Sequence, residues 1–175
     1  MVDDQPPARV MDEACLFCAM PPDRVVAASA DAYAVRDGFP VSVGHSLVIS
    51  KRHVPDWWSA TAGERTAIVE LVDVVKAGIA NQYHPAGFNV GFNDRPAGGQ
   101  TVPHLHIHVI PRYDGDVPDP RGGIRHVIPD SGRYPTDAAV TQYADSESAD
   151  AESDFDRFVR RVERKGIEAT GDQRE

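Results

Sequence analysis

Between Thr61 and Tyr83 the apolar residues Ile68, Leu71, Val72, Val75 and Ile79 recur at three- and four-residue intervals. That spacing puts them on one face of a helix and predicts a helix over residues 61–83. Thr61 and Glu64 stand at its start with the spacing of a capping box. His84-Pro85 ends it, because a residue before proline is pushed out of the helical region. Residues 31–36, 46–50, 88–92 and 105–110 read as strands. Asp37-Gly38-Phe39-Pro40 reads as a turn between the first two. One long helix among consecutive strands predicts an α+β fold with an antiparallel sheet.

The flanks differ. Residues 1–13 are polar and proline-containing and read as a flexible N-terminus. The domain proper is expected over residues 14–140. Beyond Pro111 the chain is turn-rich, and residues 145–154 form an acidic, solvated linker. Phe155, Phe158, Val159 and Val162 then mark a short amphipathic C-terminal helix, followed by a disordered tail from Glu168. Residues 141–175 are thus expected to be linker, helix and tail. There is no internal repeat.

The strand over residues 105–110 carries the chemistry. His104, His106 and His108 alternate with Leu105, Ile107 and Val109. A strand sends successive side chains to opposite faces, so the imidazoles share one face and the aliphatics pack behind it. Packing has little use for three such rings, because each brings two nitrogens that need partners. A single metal ion held by all three is disfavoured. Same-face neighbours lie about 7 Å apart, whereas zinc–nitrogen bonds are about 2 Å long. The three rings therefore have more than one task. Upstream, Gly98 and Gly99 let backbone approach a ligand and offer N–H donors, with Asn93 and Thr101 as further neutral donors. Such a set suits a phosphate ester in displacement.

The only cysteines, Cys15 and Cys18, form a C-x-x-C. Three readings stand: half of a zinc site, a redox pair, or a bland buried pair. The redox reading fits less well, since such a motif normally follows a strand in a βαβ pattern.

Composition bounds the function classes. With 175 residues, 41% hydrophobic and 26% charged, the chain is that of a one-domain globular protein. No apolar run approaches a membrane span. The start, Met1-Val2-Asp3-Asp4-Gln5-Pro6, lacks the marks of a signal peptide, and a cytoplasmic location is expected. A net charge of −9 argues against a general grip on nucleic acid. The 27 acids are 19 Asp and 8 Glu, while the 18 bases include only 3 Lys. This balance suits concentrated salt, and ordinary acidic bias explains it equally well.

The segment His104-Leu105-His106-Ile107-His108-Val109-Ile110 closely resembles the motif of the histidine-triad (HIT) family of nucleotide hydrolases and transferases. Gly44-His45-Ser46-Leu47-Val48-Ile49 and Gly98-Gly99-Gln100-Thr101-Val102 resemble two further segments of that family. The resemblance spans about residues 15–111. It implies the HIT-like fold, an antiparallel sheet with one long helix, and commonly a homodimer.

The resemblance also implies roles. His106 would be the nucleophile toward the α-phosphorus of a nucleotide. His45 and His108 would contact the α-phosphate, with Asn93, Gly99, Gln100 and Thr101 around the phosphate or leaving group. Asp37 would bond the ribose hydroxyls, although a turn-former before Gly38 would look the same. Leu16, Phe17, Met20 and Val35 would line the base pocket or simply be core. Some family members with this C-x-x-C bind a structural zinc, and the ligands here would be Cys15, Cys18, His53 and His104. The expected activity is cleavage of a phosphoanhydride or phosphoramidate through a nucleotidyl-histidine intermediate. A transferase or phosphorylase, and a nucleotide-binding regulator with little catalysis, are the alternatives. His84 and His126 have no motif partner and read as surface or packing residues.

Overall fold

The computed structural model describes residues 15–129 and Gly132. These fall into two compact units that divide after Pro120. In the second, Gly123–Val127 forms a 3-10 turn. The predicted N-terminal segment, the boundary at residue 140, the acidic linker and the C-terminal helix lie outside the described residues.

The first unit holds β1 (Val25–Ala28), β2 (Ala32–Arg36), β3 (Ser46–Ser50), α1 (Ala62–Tyr83), β4 (Gly87–Gly91) and β5 (His106–Arg112). The strands form one sheet in the order β1-β2-β3-β5-β4. Every neighbouring pair is antiparallel. The fold is α+β, as the periodicities predict.

Alternation divides the sheet into two working faces. Ala32, Ala34, Val48, Leu105, Ile107 and Val109 pack against Ile68, Leu71, Val75 and Ile79 of α1. Burying each of these larger aliphatic side chains contributes about 1.5–3 kcal/mol. On the other face Tyr33, Val35, Leu47 and Ile49 cluster with Cys15 and Phe17. Register sets His106 opposite Ile49 and His108 between Leu47 and Gly91, so both histidines stand on that second face.

The helix is held where its sequence predicts. Thr61 Oγ1 accepts from the Glu64 backbone N–H, and Glu64 accepts from the Thr61 N–H. The same carboxylate takes a two-point contact from Arg52, with Nε at 2.7 Å and the second nitrogen at 2.8 Å. His84 closes the helix in the left-handed conformation at φ 49°.

Two features depart from the sequence reading. The short β1 was not foreseen, because Val25-Val26-Ala27-Ala28 has no alternation and its register shifts between Val25 and Ala27. β5 runs on through Pro111 to Arg112. The Ala86 N–H donates to Arg112 O, so Arg112 turns its polar pair toward β4 and Pro111 turns the other way. Pairing with β3 has already ended at Val109, so the missing proline N–H interrupts no ladder.

Candidate functional site

Where the chain passes from Pro103 into β5, the Leu105 N–H donates to Val54 O and Leu105 O accepts from Ser50. These bonds fix the segment that carries His104. The His104 ring is fully buried and sits 2.8 Å from Ser50 O through Nε2. A carbonyl can only accept, so Nε2 carries the proton and Nδ1 presents a lone pair. That lone pair points at sulfur. Nδ1 lies 3.4 Å from Cys15 Sγ and 3.6 Å from Cys18 Sγ, and His53 Nδ1 lies 3.3 Å from Cys18 Sγ.

A tetrahedral zinc with bonds of about 2.3 Å to sulfur and about 2.0–2.1 Å to nitrogen has S···N edges of about 3.6 Å. The four donors therefore fit such an ion. The Ser50 carbonyl supplies the outer contact that sets a ligating imidazole. Burial pushes the His104 pKa down to about 4, so the ring is neutral and its lone pair available. Tyr33 anchors the cysteine loop by donating to Phe17 O. Burial first, then the neighbouring thiols, raise its pKa well above the ordinary phenol value. Neither the Ser50 carbonyl nor Tyr33 carries a motif that would have marked it in the sequence.

Two residues on, His106 Nδ1 donates to His104 O at 2.7 Å. Its Nε2 is therefore left unprotonated in the neutral ring. Phe17 meets the rings of His104 and His106 edge-on.

His108 is set differently. Its Nδ1 lies 3.0 Å from His45 Nε2, and one proton serves that contact. His45 Nδ1 faces both the Val41 N–H at 3.3 Å and Asp37 Oδ2 at 3.4 Å. If Val41 donates, His45 donates to His108, whose Nε2 then bears a proton. If His45 instead donates to Asp37, the proton order reverses and His108 Nε2 is bare. Burial lowers the pKa of both rings, that of His108 to about 4, so both are neutral near pH 7.

Gly44 shows why this pair is placed as it is. Its φ is 87°, and an added Cβ would come within 3.0 Å of the Tyr83 ring. Arg36 donates to Gly44 O and to Ser46 Oγ and lies over Tyr83. His45 is thus held between a strand and the end of α1.

The other predicted residues divide. Phe17 and Val35 are buried together with Met20 packed beside them, while Leu16 is 61% exposed. Gly99, at φ 87°, lies over the Asn93 side chain, and Thr101 is exposed. The expected backbone donors are not on offer. The N–H groups of Gly98, Gly99 and Gln100 close the loop on Arg95 O and Pro96 O. The loop is a 3-10 turn around Pro96, whose carbonyls are the nearer acceptors. The Gln100 side chain braces it, donating to Pro55 O and accepting from the Arg95 N–H.

The HIT domain family model matches residues 20–115, more than half of the chain. The chain belongs to the HIT family. It is 38% identical over 93 residues to the AP-4-A phosphorylase of Mycobacterium tuberculosis, covering 53% of this chain and 48% of that one. It is 39% identical over 77 residues to the asymmetrical bis(5'-nucleosyl)-tetraphosphatase of Schizosaccharomyces pombe, covering 44% and 42%. The HIT chain thus spans about half the length of these two enzymes. A solved zinc-bound histidine triad family protein of Mycobacterium smegmatis superposes with a TM-score of 0.55 at 27% identity, covering 76% of this chain and 97% of that one. This HIT protein is therefore similar to proteins that process nucleotides.

Proposed function

We propose that this HIT protein is a nucleotide hydrolase that cleaves phosphoanhydride or phosphoramidate bonds at the α-phosphate, dinucleoside polyphosphates being the first substrates to test. The observation that carries this reading is the opposite setting of two adjacent imidazoles. His106 is tied at Nδ1 to a carbonyl, and His108 is tied at Nδ1 to a second histidine.

In the first step the His106 Nε2 lone pair attacks the α-phosphorus. The nitrogen–phosphorus bond forms as the bond to the leaving group breaks, and the leaving group departs with that electron pair. With His45 as donor, His108 Nε2–H stabilises charge growing on the phosphate oxygens. Thr101, a water or the substrate itself supplies the proton that the leaving group takes up. In the second step water attacks phosphorus and releases His106. The reversed proton order leaves His108 Nε2 bare, able to accept the proton that water gives up. Asn93 and Gly99 border the phosphate, and Gln100 holds their loop. Asp37 receives the ribose hydroxyls, and Phe17, Met20, Val35 and Leu16 face the base.

Cys15, Cys18, His53 and His104 would hold one structural zinc. Four protein ligands close the coordination sphere, so the ion stabilises the fold and has no open position for water.

The relation to the M. tuberculosis enzyme favours a second reading, in which phosphate in place of water resolves the intermediate. One experiment separates these. The protein is incubated with a dinucleoside polyphosphate in ¹⁸O-water, with and without phosphate, and the products are weighed by mass spectrometry. Label in the nucleoside monophosphate supports hydrolysis. An unlabelled nucleoside diphosphate formed only with phosphate supports phosphorolysis. Binding without products would overturn both.

A further inference from the structure

Away from the sulfur ligands, Asp37, His45 and His108 bring three metal-competent donors within 4.8 Å of one another. We infer that these three residues form a second, exchangeable site for one divalent transition-metal ion, and that the ion and a nucleotide exclude each other there. The inference adds a ligand to residues already given a role in the proposed reaction. The metal-binding part stands on geometry alone, and the exclusion rests on the nucleotide reading.

The geometry is as follows. His45 Nε2 and His108 Nδ1 are 3.0 Å apart. Two imidazoles on one zinc-like ion, at about 2.0–2.1 Å each, stand about 3.3 Å apart. An ion can therefore replace the shared proton with a few tenths of an ångström of opening. The third donor, Asp37 Oδ2, is 3.9 Å from His108 Nδ1. Its partner Oδ1 is already held by the Phe39 N–H at 2.8 Å, which orients the carboxylate. Asp37 Oδ2 is also 3.4 Å from His45 Nδ1. Once an ion takes Nε2, the His45 proton must reside on Nδ1.

The donor set selects the ion. Two imidazoles and one carboxylate with open positions suit Co²⁺, Ni²⁺, Cu²⁺ or Zn²⁺. Mg²⁺ and Ca²⁺ seek oxygen ligands and are poorly served. Asp37 would serve both the ion and the proposed ribose contact, so the ion and a nucleotide compete for it.

The test uses the full chain and Co²⁺, which reports its own ligands by absorption. Protein already carrying one equivalent of zinc is titrated with Co²⁺, following visible absorption and heat. One further ion per chain is expected, with weak visible bands and no sulfur-to-cobalt charge-transfer band. His45→Gln should weaken this ion at least about tenfold, on the scale of lost metal contacts, while the first equivalent of zinc is retained. Asp37→Asn serves the same purpose at the start of the turn should His45→Gln fail to fold. Excess adenosine monophosphate should displace the ion, and Mg²⁺ should not. No second ion up to about millimolar Co²⁺, or a second ion indifferent to both substitutions, would overturn the site. A second ion bound by a protein that shows no affinity for the monophosphate would leave the metal site standing and sink the nucleotide reading.

Discussion

At the level of single residues, two imidazoles of the same type differ because of what their far nitrogens touch. A carbonyl behind His106 leaves a bare nitrogen in front, while a histidine behind His108 leaves a choice. His106→Ala should therefore remove the reaction path but spare binding. A loss of at least about 10⁴ in kcat is expected, the scale seen when nucleophiles are deleted. Single-turnover assays paired with calorimetry on adenosine monophosphate check both halves. A variant keeping more than about a tenth of the native rate would show that His106 is only a supporting group. The same logic separates His104, whose ring faces sulfur. Cys15→Ser should lose zinc and melt earlier, since metal binding is coupled to folding. Its folded fraction should still form the His106 adduct. Metal analysis of protein purified without chelator decides the first point, and zinc retained after loss of both cysteines would refute the ligand set.

Among the elements, α1 begins on a carboxylate with three partners. Arg52 contributes most to holding the Glu64 carboxyl below its ordinary pKa, with the Thr61 backbone and hydroxyl helping. A carboxyl depressed on folding stabilises above its unfolded pKa of about 4.3, and the benefit fades as pH falls through the lower folded value. Glu64→Gln should cost about 2 kcal/mol near neutrality, as for hydrogen bonds to a charged group. In urea titrations its deficit against the native protein should shrink below about pH 4.3. An equal deficit at pH 7 and pH 3.5 would contradict the pairing. Thr61→Ala should cost about 1 kcal/mol near neutrality, the usual value of an N-cap.

The elements also show what could be read from the chain. α1 and the strands predicted over residues 31–36, 46–50 and 105–110 were legible because their periods are those of a one-sided helix and a pleated strand, although β5 runs on to Arg112. The sulfur–imidazole cluster was legible only through its family motif, since its members lie up to 89 residues apart. The His45–His108 contact spans 63 residues and has no local signal. The inward turn of the Gly98, Gly99 and Gln100 N–H groups could not be read either. Glycine content says that a backbone can approach a ligand, but not which carbonyl competes for its donors.

At the scale of the molecule, β4 ends the sheet among the described residues and has one side unpaired there. The exposed Val69 and Val74 add apolar surface on α1. An open edge invites a second strand, and a two-fold symmetric pair is the commonest way to close one. A homodimer is therefore expected. Light scattering at working concentration should give twice the 19.1 kDa chain mass, and a single-chain mass would rule the pairing out. The surplus of 27 acids over 18 bases repels itself at low ionic strength. If the composition is a salt adaptation, the melting temperature should climb from dilute buffer to molar KCl. A melting point indifferent to KCl would return the composition to ordinary acidic bias.

The acceptor that sets the His106 proton is a peptide carbonyl, that of His104. It has a genetic consequence. Every codon at position 104 encodes that oxygen, so no substitution there can delete it. A library of point variants would register position 104 through its ring alone and leave the oxygen unseen. Lineages that drift away from the cysteines could therefore shed the ring's task while inheriting the proton placement at the neighbouring histidine unchanged.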